Sequence, residues 1–255
     1  MNNYFLKVKN HAKKWRDFVL DLIFPIECFG CGREESWLCE PCFQKLKLKE
    51  RQYCFHCKKE NKFGEFCEDC RSDYFLDGCL IAGDYEDKSL AGLIKNFKYK
   101  FIKDLGSDLG RFLSLFFRNL KSRAVDLSPR AGKYDFLFDF KGSLILAVPL
   151  ARQRMRWRGF NQAEVLRAEI YGEATEEKTG RLARIKHKKP QAKLSEAERK
   201  ENIKGCFAWQ GENLSGRNVI LIDDVATTAA TLNECARVLK ENGAGEVWGL
   251  VVAKG

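Results

Sequence analysis

The stretch Asn218-Val-Ile-Leu-Ile-Asp-Asp-Val-Ala-Thr-Thr-Ala-Ala-Thr231 decides the fold. Val219 to Ile222 are consecutive apolar residues, the mark of a short strand buried on both faces inside a parallel sheet. Asp223 and Asp224 close that strand, and a loop of small and hydroxyl residues, Ala226 to Thr231, follows. Leu232, Ala236 and Leu239 then recur at helical spacing, and Gly243 is placed to end the helix. Strand, acidic pair, small-residue loop and helix start together suit a phosphorylated sugar. Free N–H groups at a helix start attract an anion, small side chains let it come close, and Thr227, Thr228 and Thr231 add hydroxyl donors. Carboxylates repel phosphate, so the acidic pair is expected to accept hydrogen bonds from vicinal ribose hydroxyls. An isolated Asp-Asp would read as a solvated strand end; the loop that follows favours the sugar.

This arrangement resembles the signature of the phosphoribosyltransferases for 5-phosphoribosyl pyrophosphate (PRPP). That signature is an apolar strand, two acidic residues, an apolar residue and a Thr-rich loop. The resemblance implies that Asp223 and Asp224 bind the ribose 2′- and 3′-hydroxyls. It also implies that Ala226, Thr227, Thr228, Ala229, Ala230 and Thr231 cradle the 5′-phosphate. The small residue of the loop is most often glycine in that family and is Ala229 here, which adopts a positive φ only at a cost.

The 255 residues are enough for one large or two modest domains, and 45% hydrophobic content supports a true core. A formal charge of +10 and an isoelectric point near 9.0 favour anionic partners, either nucleic acid or phosphorylated metabolites. No run of apolar residues is long enough to span a membrane. Residues 4–24 have the spacing of an amphipathic helix that ends at Pro25, with charges that exclude a signal peptide. A cytoplasmic setting with reduced thiols is therefore expected.

Eight of the 11 cysteines form four Cys-x-x-Cys pairs: Cys28/Cys31, Cys39/Cys42, Cys54/Cys57 and Cys67/Cys70. Each pair supplies two thiolates from one tight knuckle, and two knuckles complete a tetrahedral zinc site made wholly of cysteine. Gly32 suits such a turn. The segment is too short to bury a core of its own, so one or two structural Zn2+ ions would fold it. Sequential pairing gives two ribbons and interleaved pairing a cross-brace; the spacing alone leaves both open. His56 sits within a knuckle but is not needed as a ligand. The lysines around the knuckles suit either nucleic-acid contact or a solvated surface.

Residues 71–76 read as a linker, Asp77 to Tyr85 as a strand, and 88–100 and 104–120 as amphipathic helices. Residues 121–141 carry no clear pattern. Ser143 to Val148 is a second buried strand. It runs into Pro149-Leu150-Ala151-Arg152, then a basic loop with Arg154, Arg156 and Arg158, then a helix ending near Ile170. Arginine forks match phosphate oxygens, so this segment is a candidate for pyrophosphate. Val247 to Val252 is a last strand, and Cys79, Cys206 and Cys235 are core thiols.

The cysteine ribbon, the Leu-Ile-Lys-Asn-Phe-Lys-Tyr run at 93–99, the Val-Pro-Leu strand end and Arg158-Gly159-Phe160-Asn161-Gln162 together resemble the ComF family. These are competence-associated, phosphoribosyltransferase-like proteins with an amino-terminal double zinc ribbon. By that resemblance Pro149 to Arg152 form the pyrophosphate loop and Arg158 to Gln162 a second family signature. Gln191, Leu194, Ser195, Arg199 and Asn202 follow the same family's pattern in a hood over the site. His187, in a run of lysines, is expected to be solvent-exposed.

The expected architecture is a helix and double zinc ribbon over 1–75, then a type I phosphoribosyltransferase-like α/β domain over 76–255. Its parallel sheet should bring the loops at 149–152 and 223–231 to one crevice. One function is binding of PRPP with Mg2+ and transfer of phosphoribosyl to an acceptor that no residue names. The other is a non-catalytic sensor of PRPP or nucleotide, or a single-stranded DNA adaptor of the competence machinery. No Gly-x-x-x-x-Gly-Lys-Ser/Thr loop occurs, so any ATPase is a separate partner.

Overall fold

The computed structural model describes residues 26–100, 102–125, 131–138, 143–172, 180–186 and 196–255. The expected helix over 4–24 lies outside them, as do His187, Gln191, Leu194 and Ser195. The chain divides into two compact units, one ending at Leu46 and one beginning at Lys47. Residues 47–75, grouped in the sequence with the first cysteines, therefore pack within the larger unit.

The described part of the smaller unit holds α1 (Glu40–Phe43), which starts at Cys39 with Pro41 in its first turn. The larger unit opens with β1 (Gln52–Tyr53), paired antiparallel with β2 (Glu60–Asn61), and α2 (Glu68–Arg71). Then come β3 (Gly78–Asp84), α3 (Lys88–Tyr99), α4 (Leu105–Val125), a 3-10 turn (Ala131–Leu137) and β4 (Leu144–Ala147). α5 (Arg152–Arg158) and α6 (Gln162–Tyr171) precede β5 (Gly180–Arg184), α7 (Glu196–Ile203) and β6 (Phe207–Gly211). β7 (Val219–Ala226), α8 (Ala230–Glu241) and β8 (Val247–Lys254) complete the chain. Among the described residues no helix is long and apolar enough to cross a membrane.

Four parallel strands form the sheet in the order β3-β8-β7-β4, and β5 and β6 make a separate antiparallel hairpin. Side chains alternate across a strand, so each strand serves two cores. Cys79, Ile81, Leu146, Val219, Leu221 and Val251 share one core with Leu232, Cys235 and Leu239 of α8. The intervening residues, Leu80, Ile220, Ile222 and Leu250, are buried on the other side. Leu90, Leu93, Ile94 and Phe97 supply the buried stripe of α3, whose first turn is capped by the Asp87 carboxylate accepting from Ser89 and Leu90 N–H.

Three readings need correction. The basic segment after Pro149 is not a loop: Arg152 to Arg158 form α5, which ends where Gly159 takes φ 77°. Alternating arginines hid the turn because they carry no apolar periodicity. The central strand does not stop at the acidic pair either. Pairing with β8 continues through Asp223 opposite Val251 and on to Ala226 opposite Lys254. Arg71 ends α2 and residues 72–76 are irregular, but the segment is no free linker. Tyr74 and Leu76 are buried, and the Asn233 side chain on α8 accepts from Phe75 N (2.7 Å) and Leu76 N (3.2 Å).

Candidate functional site: two cysteine centres and a cavity of mixed charge

The cysteines pair sequentially. The sulfurs of Cys28, Cys31, Cys39 and Cys42 lie within 4.8 Å of one another, and so do those of Cys54, Cys57, Cys67 and Cys70. Tetrahedral Zn–S bonds of ~2.3 Å put sulfurs about 3.8 Å apart. Cys28–Cys39 at 3.6 Å, Cys31–Cys39 at 3.5 Å and Cys57–Cys67 at 3.5 Å fit that size. In the first group Gly30 N (3.4 Å) and Cys39 N (3.3 Å) donate to Cys28 Sγ. A Cβ on Gly30 would sit 2.7 Å from Cys42 Sγ, so the knuckle closes only around glycine.

The sulfurs compete for protons. Burial pushes the Cys28 thiol up, but the N–H groups of Cys39, Gly30 and Cys31 outweigh it and bring it to about 6. Cys42 is pushed up to about 12, first by its hydrogen bond with Cys39 and then by burial. The second group repeats this: Cys54 is brought to about 7 despite burial, and Cys70 is pushed to about 12, chiefly by burial. Four sulfurs so close cannot all ionise unaided, and a dication removes the conflict. Both groups are ligand sets for structural zinc. His56 is not in either; its Nδ1 lies 3.0 Å from the Tyr74 hydroxyl.

A separate cavity of about 400 Å³ opens at the carboxyl end of the sheet. It exists there because β4 and β7 are neighbours in register, Ala147 opposite Ile222, so the segments that follow them start side by side. Asp223 and Asp224 both line it. Both lie within the strand, whose pairing with β8 continues past them. Asp224, 5% exposed, meets Lys98 of α3, with Nζ 2.9 Å from Oδ1. Burial, and then the neighbouring Asp224 charge, push the Asp223 carboxyl up to about 7 against the pull of Lys98. Backbone N–H groups hold both carboxylates in place: Asp224 N donates to Asp223 Oδ1 (2.8 Å) and Val225 N to Asp224 Oδ1 (2.7 Å).

The opposite wall follows β4. Pro149, Leu150, Arg154, Trp157, Arg158, Asn161 and Gln162 line it. Asn161 explains much of the Arg-Gly-Phe-Asn-Gln sequence. Its Nδ2 donates to Val148 O (3.1 Å) and its Oδ1 accepts from Ala163 N (3.2 Å), so one side chain caps α6 and ties it to the strand end. Phe160 packs on Phe97 with ring centroids 5.5 Å apart. Arg158, 8% exposed, donates through a guanidinium nitrogen to Gln162 Oε1 (2.9 Å) and lies over the Tyr99 ring at 5.6 Å. Arg158 Nε and Gln162 Nε2 have no hydrogen-bond partner among the described residues. Burial lowers the Arg158 pKa, while Asp224 holds it up.

The sequence-predicted residues thus divide. Asp223, Asp224, Thr231, Pro149, Leu150, Arg158, Asn161 and Gln162 share one cavity. Arg152 faces a neighbouring cavity of about 620 Å³ beside the β5–β6 hairpin instead. Ala226, Ala229 and Ala230 of the loop are buried, Ala151 and Thr228 are half-buried, and Thr227 and Gly159 are exposed. Ala229 does take the left-handed conformation, φ 54° and ψ 9°, at the start of α8. No side chain caps that helix from Ala229, and Thr228 Oγ1 reaches only Ala230 N, at 3.4 Å. Sequence reasoning gave no role to Lys98, Tyr99, Trp157 or Arg184, which also line the cavity. The run at 93–99 held a signal for the first two; nothing local pointed to the others.

The lining carries four cations (Lys98, Arg154, Arg158, Arg184) and two carboxylates, a balance suited to an anionic ligand that also offers hydroxyls. A zinc ribbon joined to a parallel α/β unit with such a cavity defines the class. Residues 19–71 match the double zinc ribbon domain family. Competence protein F of Haemophilus influenzae is 31% identical over 241 residues, 90% of this chain and 98% of that one. Competence protein ComFC of Bacillus subtilis is 28% identical over 83% of this chain and 81% of its own. The DNA utilization protein YhgH of Escherichia coli K12 is 33% identical over 114 residues, 47% of its length. The chain belongs to the ComF family.

Proposed function

We propose that the cavity binds PRPP with Mg2+ and that the protein serves DNA uptake or utilization, as the names of its relatives suggest. The observation that carries the proposal is the meeting, in one cavity, of Asp223 and Asp224 with Arg154, Arg158 and the Pro149-Leu150 turn. Ribose hydroxyls would donate to the two carboxylates, displacing Lys98 from Asp224. The 5′-phosphate would lie against the Thr227–Thr231 loop and the start of α8. The arginines would take the pyrophosphate, whose charge Mg2+ helps to neutralise. In a transfer, an acceptor nucleophile attacks the anomeric carbon, and the C–O bond to pyrophosphate breaks with its electron pair on the leaving oxygen. The chain's contribution is positioning and charge neutralisation.

Calorimetric titration of zinc-loaded protein with PRPP and Mg2+ tests the site. Saturable binding is expected in the parent and its loss in Asp224→Asn; no binding in the parent refutes the proposal. A second reading, a nucleic-acid adaptor acting from the cytoplasm beside a separate ATPase, draws on the formal charge of +10. It expects affinity for single-stranded DNA that falls steeply with salt.

A further inference from the structure

Two of the largest exposed hydrophobic side chains meet at the mouth of the cavity. Tyr99 is 55% exposed and Trp157 is 58% exposed, and both line the same cavity as Asp223 and Asp224. They are 58 positions apart in the sequence, yet their ring centroids are 6.2 Å apart at 56°. The fold brings them together: Tyr99 is the last residue of α3 and Trp157 lies in the last turn of α5. Both rings are more than half exposed. Phe97 and Phe160, their near neighbours in sequence, pack on each other instead. Solvent-exposed indole and phenol rings beside a charged pocket offer a flat apolar surface with a polar edge.

The surroundings select what lies on that surface. Arg158 sits over Tyr99, and Arg154, on the same helix as Trp157, also lines the cavity. Stacking rings interleaved with guanidinium groups form the usual platform for a nucleobase, because every base has a π-face and travels with a phosphate. An uncharged aliphatic partner would leave the arginines unused, and a bare phosphate the rings.

We propose that Tyr99 and Trp157 form a stacking platform for a nucleobase at the rim of the ribose cavity. The inference rests on the PRPP reading for its place beside the anomeric carbon, though the platform itself does not need it. A nitrogen heterocycle is then the ligand class that shares the site with phosphoribose. The base comes either from a small nucleotide or from a nucleic-acid strand.

The test compares AMP with ribose 5-phosphate, which carries an anomeric hydroxyl in place of the base. In the parent, AMP should bind about fivefold to about a hundredfold more tightly, the usual value of one stacked base. Trp157→Ala and Tyr99→Ala should bring the ratio close to one, and Trp157→Phe should keep most of it. A ratio near one in the parent overturns the proposal, as does a ratio that survives Trp157→Ala in protein with an unchanged melting curve. Oligothymidylate, titrated alone and in competition with AMP, identifies the source. Competition that weakens in Trp157→Ala assigns the base to a strand; no competition assigns it to a small nucleotide. The PRPP reading fails separately: if the parent ignores PRPP and ribose 5-phosphate yet holds oligothymidylate through Trp157, the platform stands without it. If the parent takes PRPP but no base, the platform falls and the PRPP reading remains.

Discussion

Replacing Asp223 by asparagine should stabilise the protein while removing the PRPP affinity proposed for it. Asp223 is lifted from its ordinary 3.8 to about 7, first by burial and then by the Asp224 charge. The folded protein therefore keeps a proton that the unfolded chain has lost between about pH 4 and about pH 7. Raising pH through that window draws the unfolded state down relative to the folded one, so stability falls. At about 1.4 kcal/mol per pH unit, the full cost above pH 7 is at most ~4 kcal/mol. The cavity is open to water, which screens the repulsion, so about 2 kcal/mol is the working figure. Asparagine keeps an oxygen for Asp224 N, which donates to Asp223 Oδ1 at 2.8 Å, and carries no charge. Asp223→Asn should therefore raise Tm by about 4–8 °C at pH 8 for a unit of this size. The gain should shrink steadily towards pH 4, and PRPP titration of the variant should show no binding. Melting curves followed by circular dichroism across pH measure it. A variant no more stable than the parent at pH 8, or a gain independent of pH, would refute the reasoning.

Loss of the second zinc ligand set should reach further than loss of the first. Cys70→Ser should lower the melting temperature of the α/β unit, because Cys54, Phe55, Phe66, Cys70 and Tyr74 belong to its core, whereas Cys39→Ser should spare that transition in scanning calorimetry. Ala229→Gly should be neutral to stabilising by up to ~1 kcal/mol, since the residue sits at φ 54°, while Ala236→Gly within α8 should cost about 1 kcal/mol or more; denaturant titration gives both. Asn161→Ala removes a helix cap and the bond to Val148 O, and should cost about 1–2 kcal/mol by the same titration.

The elements with strong periodicity were legible. The strands at 78–84, 144–147 and 247–254 and helices α3, α4, α6 and α8 lie where apolar spacing puts them. The cysteine spacing gave the ligand sets, but only the folded chain chose sequential pairing over a cross-brace. α5 was hidden because its exposed arginines leave no apolar stripe for a pattern to find. The acidic pair and the Arg-Gly-Phe-Asn-Gln run were legible as chemistry, whereas their geometry was not. The strand runs on through the acidic pair to Ala226, whereas the sequence suggested that it stopped there. Lys98 reaches Asp224 from the far end of another helix across 126 positions, and the run at 93–99 marks the residue without naming that partner.

The second cysteine group is better understood as part of the α/β core than as an appendage to it. Cys54 and Cys57 enclose Phe55, whose carbonyl accepts from Lys254 Nζ at 2.7 Å. Lys254 ends β8 and pairs in register with Ala226, where the Thr-rich loop begins, and Gly255 N donates to Ala226 O at 3.0 Å. On the other side of the knuckles, the chain leaving Cys70 is held by Asn233 of α8, the helix that the same loop opens. Two independent ties thus run from one metal knuckle pair to the two ends of the Thr-rich loop, whose Thr231 lines the cavity. A short sheet with β4 on its edge and a loop that places Ala229 in a left-handed conformation needs such a brace. A ribbon bound to zinc supplies one at the cost of few residues, because the metal, not a large apolar core, fixes the knuckle.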